Sequence, residues 1–253
     1  MKNHFYISYA GNKRNEMPGL YSHLDFTGID TVVEPFCGSC AVSYYISTKK
    51  DGLTYILNDN NIHLKEMYDI LTDEEKTQEF QTNFNNIISN IKTKDQYKEA
   101  ILEDRLESWL IENKYFNLRP GLCPIGYKGK DTLKPIDFSI VPIVKFFREN
   151  NIIFLCDDAM KVYDEHKDKP NCMIILDPPY ISTCNDFYLD HNMNIYEHLF
   201  KNDIKNEKAK IYLILEDIWI IRLLFQHNKI LHEYAKTYET SKKKTTHLVI
   251  SNT

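Results

Sequence analysis

One tetrapeptide narrows the folds open to this chain more than any other feature. Residues 177–180 read Asp-Pro-Pro-Tyr and follow the apolar run Cys172-Met173-Ile174-Ile175-Leu176 without a spacer. A short unbroken apolar run ended by turn residues reads as a buried strand. The two prolines stop it, because each fixes φ and lacks an N–H donor. A stiff acidic loop therefore sits at the carboxyl end of a buried strand, where open α/β sheets hold their ligands.

The rest of the chain supplies a matching sheet. Thr31 to Phe36 reads as a short buried strand, Cys37-Gly38-Ser39-Cys40 as a small-residue turn, and Ala41 to Ser47 as the start of a helix. A second strand spans Leu53 to Leu57 and runs into Asn58-Asp59-Asn60-Asn61, followed by a helical pattern over Ile62 to Leu71. This β-turn-α-β-α order predicts an α/β fold with a doubly wound, mostly parallel sheet. From Asp73 to about Asn113 the texture becomes charged and helical, with Phe80, Phe84, Ile87, Ile88 and Ile91 near 3.6-residue spacing. Residues 115–138 are rich in Pro and Gly, and Ile140, Ile143, Val144 and Phe147 mark a further amphipathic helix. Residues 73–150 are thus expected to be a mainly helical insertion between two parts of one domain, 1–72 and 151–253. Sheet texture resumes at Ile152 to Cys156, before Asp157-Asp158. A helix around Asn194 to Lys201, a strand over Lys210 to Leu215 and an apolar helix over Ile218 to Phe225 follow, with Trp219 expected in the core. Leu231 to Thr237 and Thr245 to Ser251 predict a closing antiparallel hairpin.

Composition excludes several classes. The most apolar long stretch, Ile211 to Phe225, is broken by Glu216, Asp217 and Arg222, so no membrane span is expected. The start, Met1-Lys2-Asn3-His4-Phe5-Tyr6, lacks the apolar core of a signal peptide. A soluble intracellular protein is expected, in the cytoplasm or nucleoid, or within the host cell if the source is viral. Of the six cysteines only Cys37 and Cys40 form a CxxC pair, and no histidine spacing completes a ligand set, so no metal is expected. Net charge is −5, yet it is unevenly spread. Residues 62–110 carry six basic and eleven acidic side chains. Lys114, Arg119, Lys128, Lys130 and Lys134 face Asp131 alone, and Lys242-Lys243-Lys244 form a second basic cluster. Such patches either neutralise phosphates or are solvated loops.

The chemistry gathers at the carboxyl ends of successive strands: Pro35-Phe36-Cys37-Gly38, Asp59, Asp157-Asp158 and Asp177. Such a gathering suits a nucleotide-like cofactor. Gly38 lets the backbone approach a ligand, and a carboxylate after the second strand is placed to accept ribose hydroxyls. The turn is not GxGxxG, which disfavours a hydride-transfer dinucleotide. Asp177 and the Pro178 carbonyl supply two fixed acceptors for the hydrogens of an exocyclic amine. Pulling that nitrogen toward tetrahedral geometry frees its lone pair for attack on a methyl group. Tyr180 offers a face for a planar base. Asp59 also reads as a cap for Ile62 to Leu71, and one of Asp157 and Asp158 as a cap for a following helix. Phe187 and Tyr188 read equally as base-flanking or core.

These segments, in this order, resemble the Dam-type (D12 class) DNA adenine N6-methyltransferases. Tyr9-Ala10-Gly11-Asn12-Lys13 is similar to that family's N-terminal cofactor-touching segment. Glu34-Pro35-Phe36-Cys37-Gly38-Ser39-Cys40 is similar to the turn around the methionine part of S-adenosyl-L-methionine, with Cys40 in place of a second glycine. Asn58-Asp59 resembles the ribose-binding acid, Asp158 with Asp157 beside it the acid near the cofactor adenine, and Asp177-Pro178-Pro179-Tyr180 the catalytic motif. The resemblance implies a Rossmann-like methyltransferase sheet and a helical target-recognition insertion. It implies methyl transfer to a flipped adenine in double-stranded DNA, with Arg119, Lys128, Lys130, Lys242, Lys243 and Lys244 on the DNA. It admits a cognate restriction endonuclease as partner, as in restriction-modification. Pro120 and Pro124 stand where the family often shows a DNA-contacting Asn-Gly and Arg, so the family's site preference does not carry over. Methylation of an RNA amine and a degenerate nucleic-acid-binding homologue are the competing readings.

Overall fold

The computed structural model describes residues 12–115, 133–181, 193–201, 204–237 and 244–253. In chain order its elements are α1 (Met17–Leu20), β1 (Thr31–Glu34), α2 (Ala41–Ser47), β2 (Thr54–Asn58), α3 (Ile62–Thr72), α4 (Glu74–Asn90), α5 (Lys94–Leu102), α6 (Leu106–Tyr115) and α7 (Pro142–Glu149). They continue with β3 (Asn151–Leu155), α8 (Ala159–His166), β4 (Cys172–Leu176), α9 (Met193–Lys201), β5 (Lys210–Glu216), α10 (Trp219–Leu224), β6 (Lys229–Thr237) and β7 (Lys244–Ser251). Two compact units result. One comprises Lys13–Asn60 and Asn151–Thr253, the other Asn61–Asn150.

The first unit is built on a seven-stranded sheet in the order β3-β2-β1-β4-β5-β7-β6. The first five strands are parallel; β7 runs antiparallel to β5, and β6 antiparallel to β7. The expected α/β architecture with a closing hairpin is therefore present. Its last strand in sequence, β7, lies inside β6 and against β5. A register shift between Ile230 and His232 accommodates the hairpin. Every residue of β4 is buried, as its unbroken apolar run requires. Its Ile174 and Leu176 pack with Val33, Leu213, Leu248, Ile250 and Tyr163 in one core cluster. Chain order reverses between β1 and β4, so their carboxyl ends flank the switch point of the sheet.

Asn58 locks those strand ends together. Its buried amide donates to the carbonyls of Pro35 (2.9 Å) and Asp157 (3.0 Å) and accepts from the Asp157 N–H (2.9 Å). The Asn58 carbonyl takes the Cys37 N–H at 2.7 Å. The loops after β1, β2 and β3 thereby satisfy one another where the ladder stops.

Trp219 departs from expectation: it is 75% exposed. The six-residue α10 buries Ile221, and Phe225 beyond it, on one face, and Trp219 lies off that face. Ile140 is likewise exposed, because it falls in a short 3-10 turn before Pro142 starts α7.

In the helical unit Phe80, Phe84 and Ile88 face inward along α4, as their spacing predicts. Asp73 caps α4 through the Lys76 N–H, and Thr93 with Gln96 forms a capping box on α5. Asn85 holds both the N–H and the carbonyl of Ile136. An open groove of about 700 Å³ lies against His63, Glu66, Asp69, Asp104, Arg105 and Glu107. Its acidic rim opposes phosphate binding there.

The Asn58 lock yields a prediction. Asn58→Leu keeps the volume but strands three buried or part-buried backbone groups, and should cost about 2–4 kcal/mol of stability in urea melts. A loss below about 0.5 kcal/mol, the scale of an ordinary surface substitution, would show the lock to be dispensable.

Candidate active site

The loop after β4 is held on every side. The Lys13 ammonium forms an ion pair with Asp177 Oδ2, and the Lys13 side chain is 2% exposed. The Tyr180 hydroxyl donates to Asp177 Oδ1 at 2.9 Å, and the Lys13 nitrogen lies 5.4 Å from the Tyr180 ring centre. The Pro179 carbonyl accepts from the Tyr196 hydroxyl of α9 at 2.9 Å. Both oxygens of Asp177 thus have partners, and the aromatic face beside them carries a cation. Burial pulls the Lys13 ammonium below its ordinary value, Asp177 opposes that pull, and the neighbouring Lys236 adds to it. Lys236 itself pairs with Glu16 at 2.5 Å.

A second shell of rings backs Tyr180. His247, fully buried on β7, meets the Tyr180 ring edge-on at 4.9 Å and 82°. Its Nδ1 lies 3.4 Å from the hydroxyls of both Tyr180 and Tyr234. Burial, then Lys13 and Lys236, push His247 down to about 3, so the imidazole is neutral through the physiological range.

The turn after β1 is shaped by two left-handed residues, Gly38 (φ 46°) and Cys40 (φ 55°). Asp59 at the end of β2 accepts the Gly38 N–H at 3.1 Å and so ties the turn to the next strand. Cys40 is the sole non-glycine residue with positive φ among the described residues. The place where the resembling family carries a second glycine is therefore a position where glycine relieves backbone strain. Glu34, at the end of β1, is buried and accepts from both the N–H (2.8 Å) and the hydroxyl of Ser43 in α2. Burial pushes the Glu34 carboxyl up to about 7 against the pull of those two bonds.

Of the two acids after β3, Asp158 caps α8 through the N–H groups of Met160 and Lys161 (2.9 and 3.0 Å). Asp157 pairs with Lys161 and accepts the Asp158 N–H at 2.8 Å. The capping role left open between them falls to Asp158.

The structure therefore brings Lys13, the Pro35–Gly38 turn, Asp59, Asp157, Asp158 and Asp177–Tyr180 to the carboxyl edge of one sheet. Tyr9, Ala10, Gly11, Arg119, Lys128, Lys130, Lys242 and Lys243 lie outside the described residues, as do Pro120, Pro124, Phe187 and Tyr188. Lys244 is exposed at the start of β7. Sequence reasoning missed Asn58 as a lock, Glu34 as a support of α2, and the Tyr234–His247 pair. Glu34 carried one signal, a carboxylate directly after Val32-Val33 in a buried strand. The donor set suits a cofactor that is itself a cation bearing an ammonium and a ribose diol. Asp59, Asp157 and Asp177 offer acceptors, and the lone buried ammonium among these residues is already paired with Asp177.

Residues 9–118 match the model of the D12 class N6 adenine-specific DNA methyltransferase family. The resemblance read from the motifs is thereby borne out over that stretch, which stops short of the Asp-Pro-Pro-Tyr loop. The match implies a methyltransferase with S-adenosyl-L-methionine as methyl donor. No curated protein matches the chain. Among solved structures, a precorrin-6y C5,15-methyltransferase from Geobacter metallireducens GS-15 is similar at 10% identity and a TM-score of 0.41, over 97% of this chain and 92% of that one. Among the described residues no group of three or more His, Cys, Asp or Glu could hold a metal ion. Nor is any helix there long and apolar enough to cross a membrane.

Two outcomes follow from the turn and its support. At Cys40 the usual order of Ala and Gly should invert, with Cys40→Gly more stable than Cys40→Ala by about 1 kcal/mol in urea melts. Glu34 carries a raised value in the folded state, so its contribution is complete below its ordinary value of 4.5 and is lost as pH rises through about 7. Relative to Glu34→Gln, the native chain should therefore lose stability between pH 4.5 and 7. Parallel pH profiles of the two proteins would refute this assignment.

Proposed function

We propose that this protein transfers methyl from S-adenosyl-L-methionine to N6 of a flipped adenine in DNA. The observation that carries the reading is the position of Lys13. Its ammonium, a nitrogen donor, sits on Asp177 and over the ring of Tyr180. Those are the two contacts an aminated planar base would need, so the site holds a nitrogen donor where the target amine belongs. When the base enters, Asp177 Oδ2 exchanges the ammonium for one N–H of the amine, and the Pro178 carbonyl accepts the other. The stiff loop, anchored by Tyr196 through the Pro179 carbonyl, keeps the two acceptors in place. Tyr180 supplies the stacking face once Lys13 withdraws, offsetting part of the few kcal/mol that unstacking costs. The bound donor supplies an electrophilic sulfonium methyl. As the amine nitrogen is methylated, Asp177 would take up the surplus proton it gives up.

In this reading Tyr9, Ala10 and Gly11 belong to a segment that touches the donor, the Pro35–Gly38 turn takes its methionine end, Asp59 its ribose, and Asp157 with Asp158 its adenine. Residues 73–150 recognise the target, and Arg119, Lys128, Lys130 and Lys242–Lys244 contact phosphates. A cognate endonuclease is the partner such an activity would protect against.

The test is transfer of labelled methyl to mixed-sequence duplex DNA, with mapping of the modified base. Asp177→Ala should lower transfer at least about a thousandfold. It should weaken cofactor binding in a titration far less than it lowers transfer. An active Asp177→Ala enzyme removes the assignment, and label appearing only in RNA moves the substrate to an RNA amine.

A further inference from the structure

Asp177 can direct one oxygen at an incoming amine only if the other is held. The holder is the Tyr180 hydroxyl, at 2.9 Å from Oδ1. A phenol has one proton, and here it is committed to the carboxylate. Its contact with His247 Nδ1 at 3.4 Å is then a hydrogen bond only if the nitrogen donates. We propose that His247 is a positioning residue for methyl transfer: its Nδ1–H donates to Tyr180, whose hydroxyl donates to Asp177 Oδ1, leaving Oδ2 aimed at the amine. This deepens the reading of the site given above and rests on it.

Three observations support the wiring. First, β7 places His247 opposite Tyr234 of β6 on one side and Glu216 of β5 on the other, so sheet register fixes the imidazole. Second, the Tyr180 and Tyr234 rings pack on it at 4.9 and 5.4 Å, which restricts its rotation. Third, burial together with Lys13 and Lys236 keeps it neutral, so exactly one ring nitrogen carries a proton, and the Tyr180 contact selects Nδ1. That tautomer must be imposed by partners, which makes it a distinctive signature. Tyr234 lies at the same 3.4 Å from this nitrogen, and in the proposed tautomer its hydroxyl accepts from the same Nδ1–H.

The experiment uses the full chain. Ring-nitrogen chemical shifts of His247, read by isotope-edited NMR, should show the proton on Nδ1 in the unaltered protein. Tyr180→Phe should move it toward Nε2. In the methyl-transfer assay His247→Phe should lower kcat about tenfold while KM for S-adenosyl-L-methionine stays unchanged. His247→Asn, which places an amide N–H near the Nδ1 position, should recover most of that loss. An Nε2 proton in the unaltered protein overturns the proposal, and so does His247→Phe turning over at the unaltered rate. If His247→Phe fails to fold, the asparagine variant and the tautomer measurement decide. A chain that transfers no methyl to any nucleic acid sinks the methyltransferase reading, and the tautomer measurement still settles the wiring.

Discussion

A lysine ammonium taken almost wholly out of water must be paired, because its desolvation costs several kcal/mol that only a close carboxylate offsets. In this protein that requirement joins Lys13 to Asp177 across 164 residues of sequence. The start of the sheet unit is thereby fixed on the loop after β4, and the loop is fixed in turn by the lysine. Under the proposed function, a nitrogen donor that enters exchanges one hydrogen bond on Asp177 for another. Its affinity is then a difference between two similar contacts, and shape and stacking against Tyr180 become the sources of discrimination. Rigidity and selectivity have the same origin.

Most of the fold is legible in the chain because its signals are local. The unbroken apolar run over 172–176, the turn at 37–40 and the alternation of strand and helix around Asp59 each report on a few consecutive residues, and each falls where expected. The acids at the strand ends are legible for the same reason: they follow apolar runs directly. Trp219 and Ile140 were misplaced because an apolar residue near a helix terminus belongs to no face that periodicity defines. Short helices such as α10 commit only one or two residues to the core.

What sequence did not disclose is pairing. Asn58 looks like one of several polar residues in Asn58-Asp59-Asn60-Asn61, yet its side-chain amide bridges the loops after three strands. The division between Asp157 and Asp158 depends on which carboxylate meets the free N–H groups of α8, a matter of backbone direction within one residue. His247 stands in a strand of mixed character and shows its significance only once β6 and the loop after β4 lie on either side of it. Cys40 is the opposite case. Its likeness to a glycine position was visible, and the backbone angle supplies the reason.

The order β5-β7-β6 has a consequence for biosynthesis. A ribosome delivers β6 before β7, but β6 has no sheet neighbour until β7 is made, and it joins the sheet only through β7. The exposed edge of β5 must therefore wait, and the ring of His247 reaches Tyr180 only when that vacancy closes. Non-local strand insertion of this kind is slow relative to helix formation. A nascent chain can thus complete the parallel half of the sheet early while the loop after β4 still lacks its backing. The full set of contacts around Asp177 and Tyr180 arrives last, with the strand that closes the sheet.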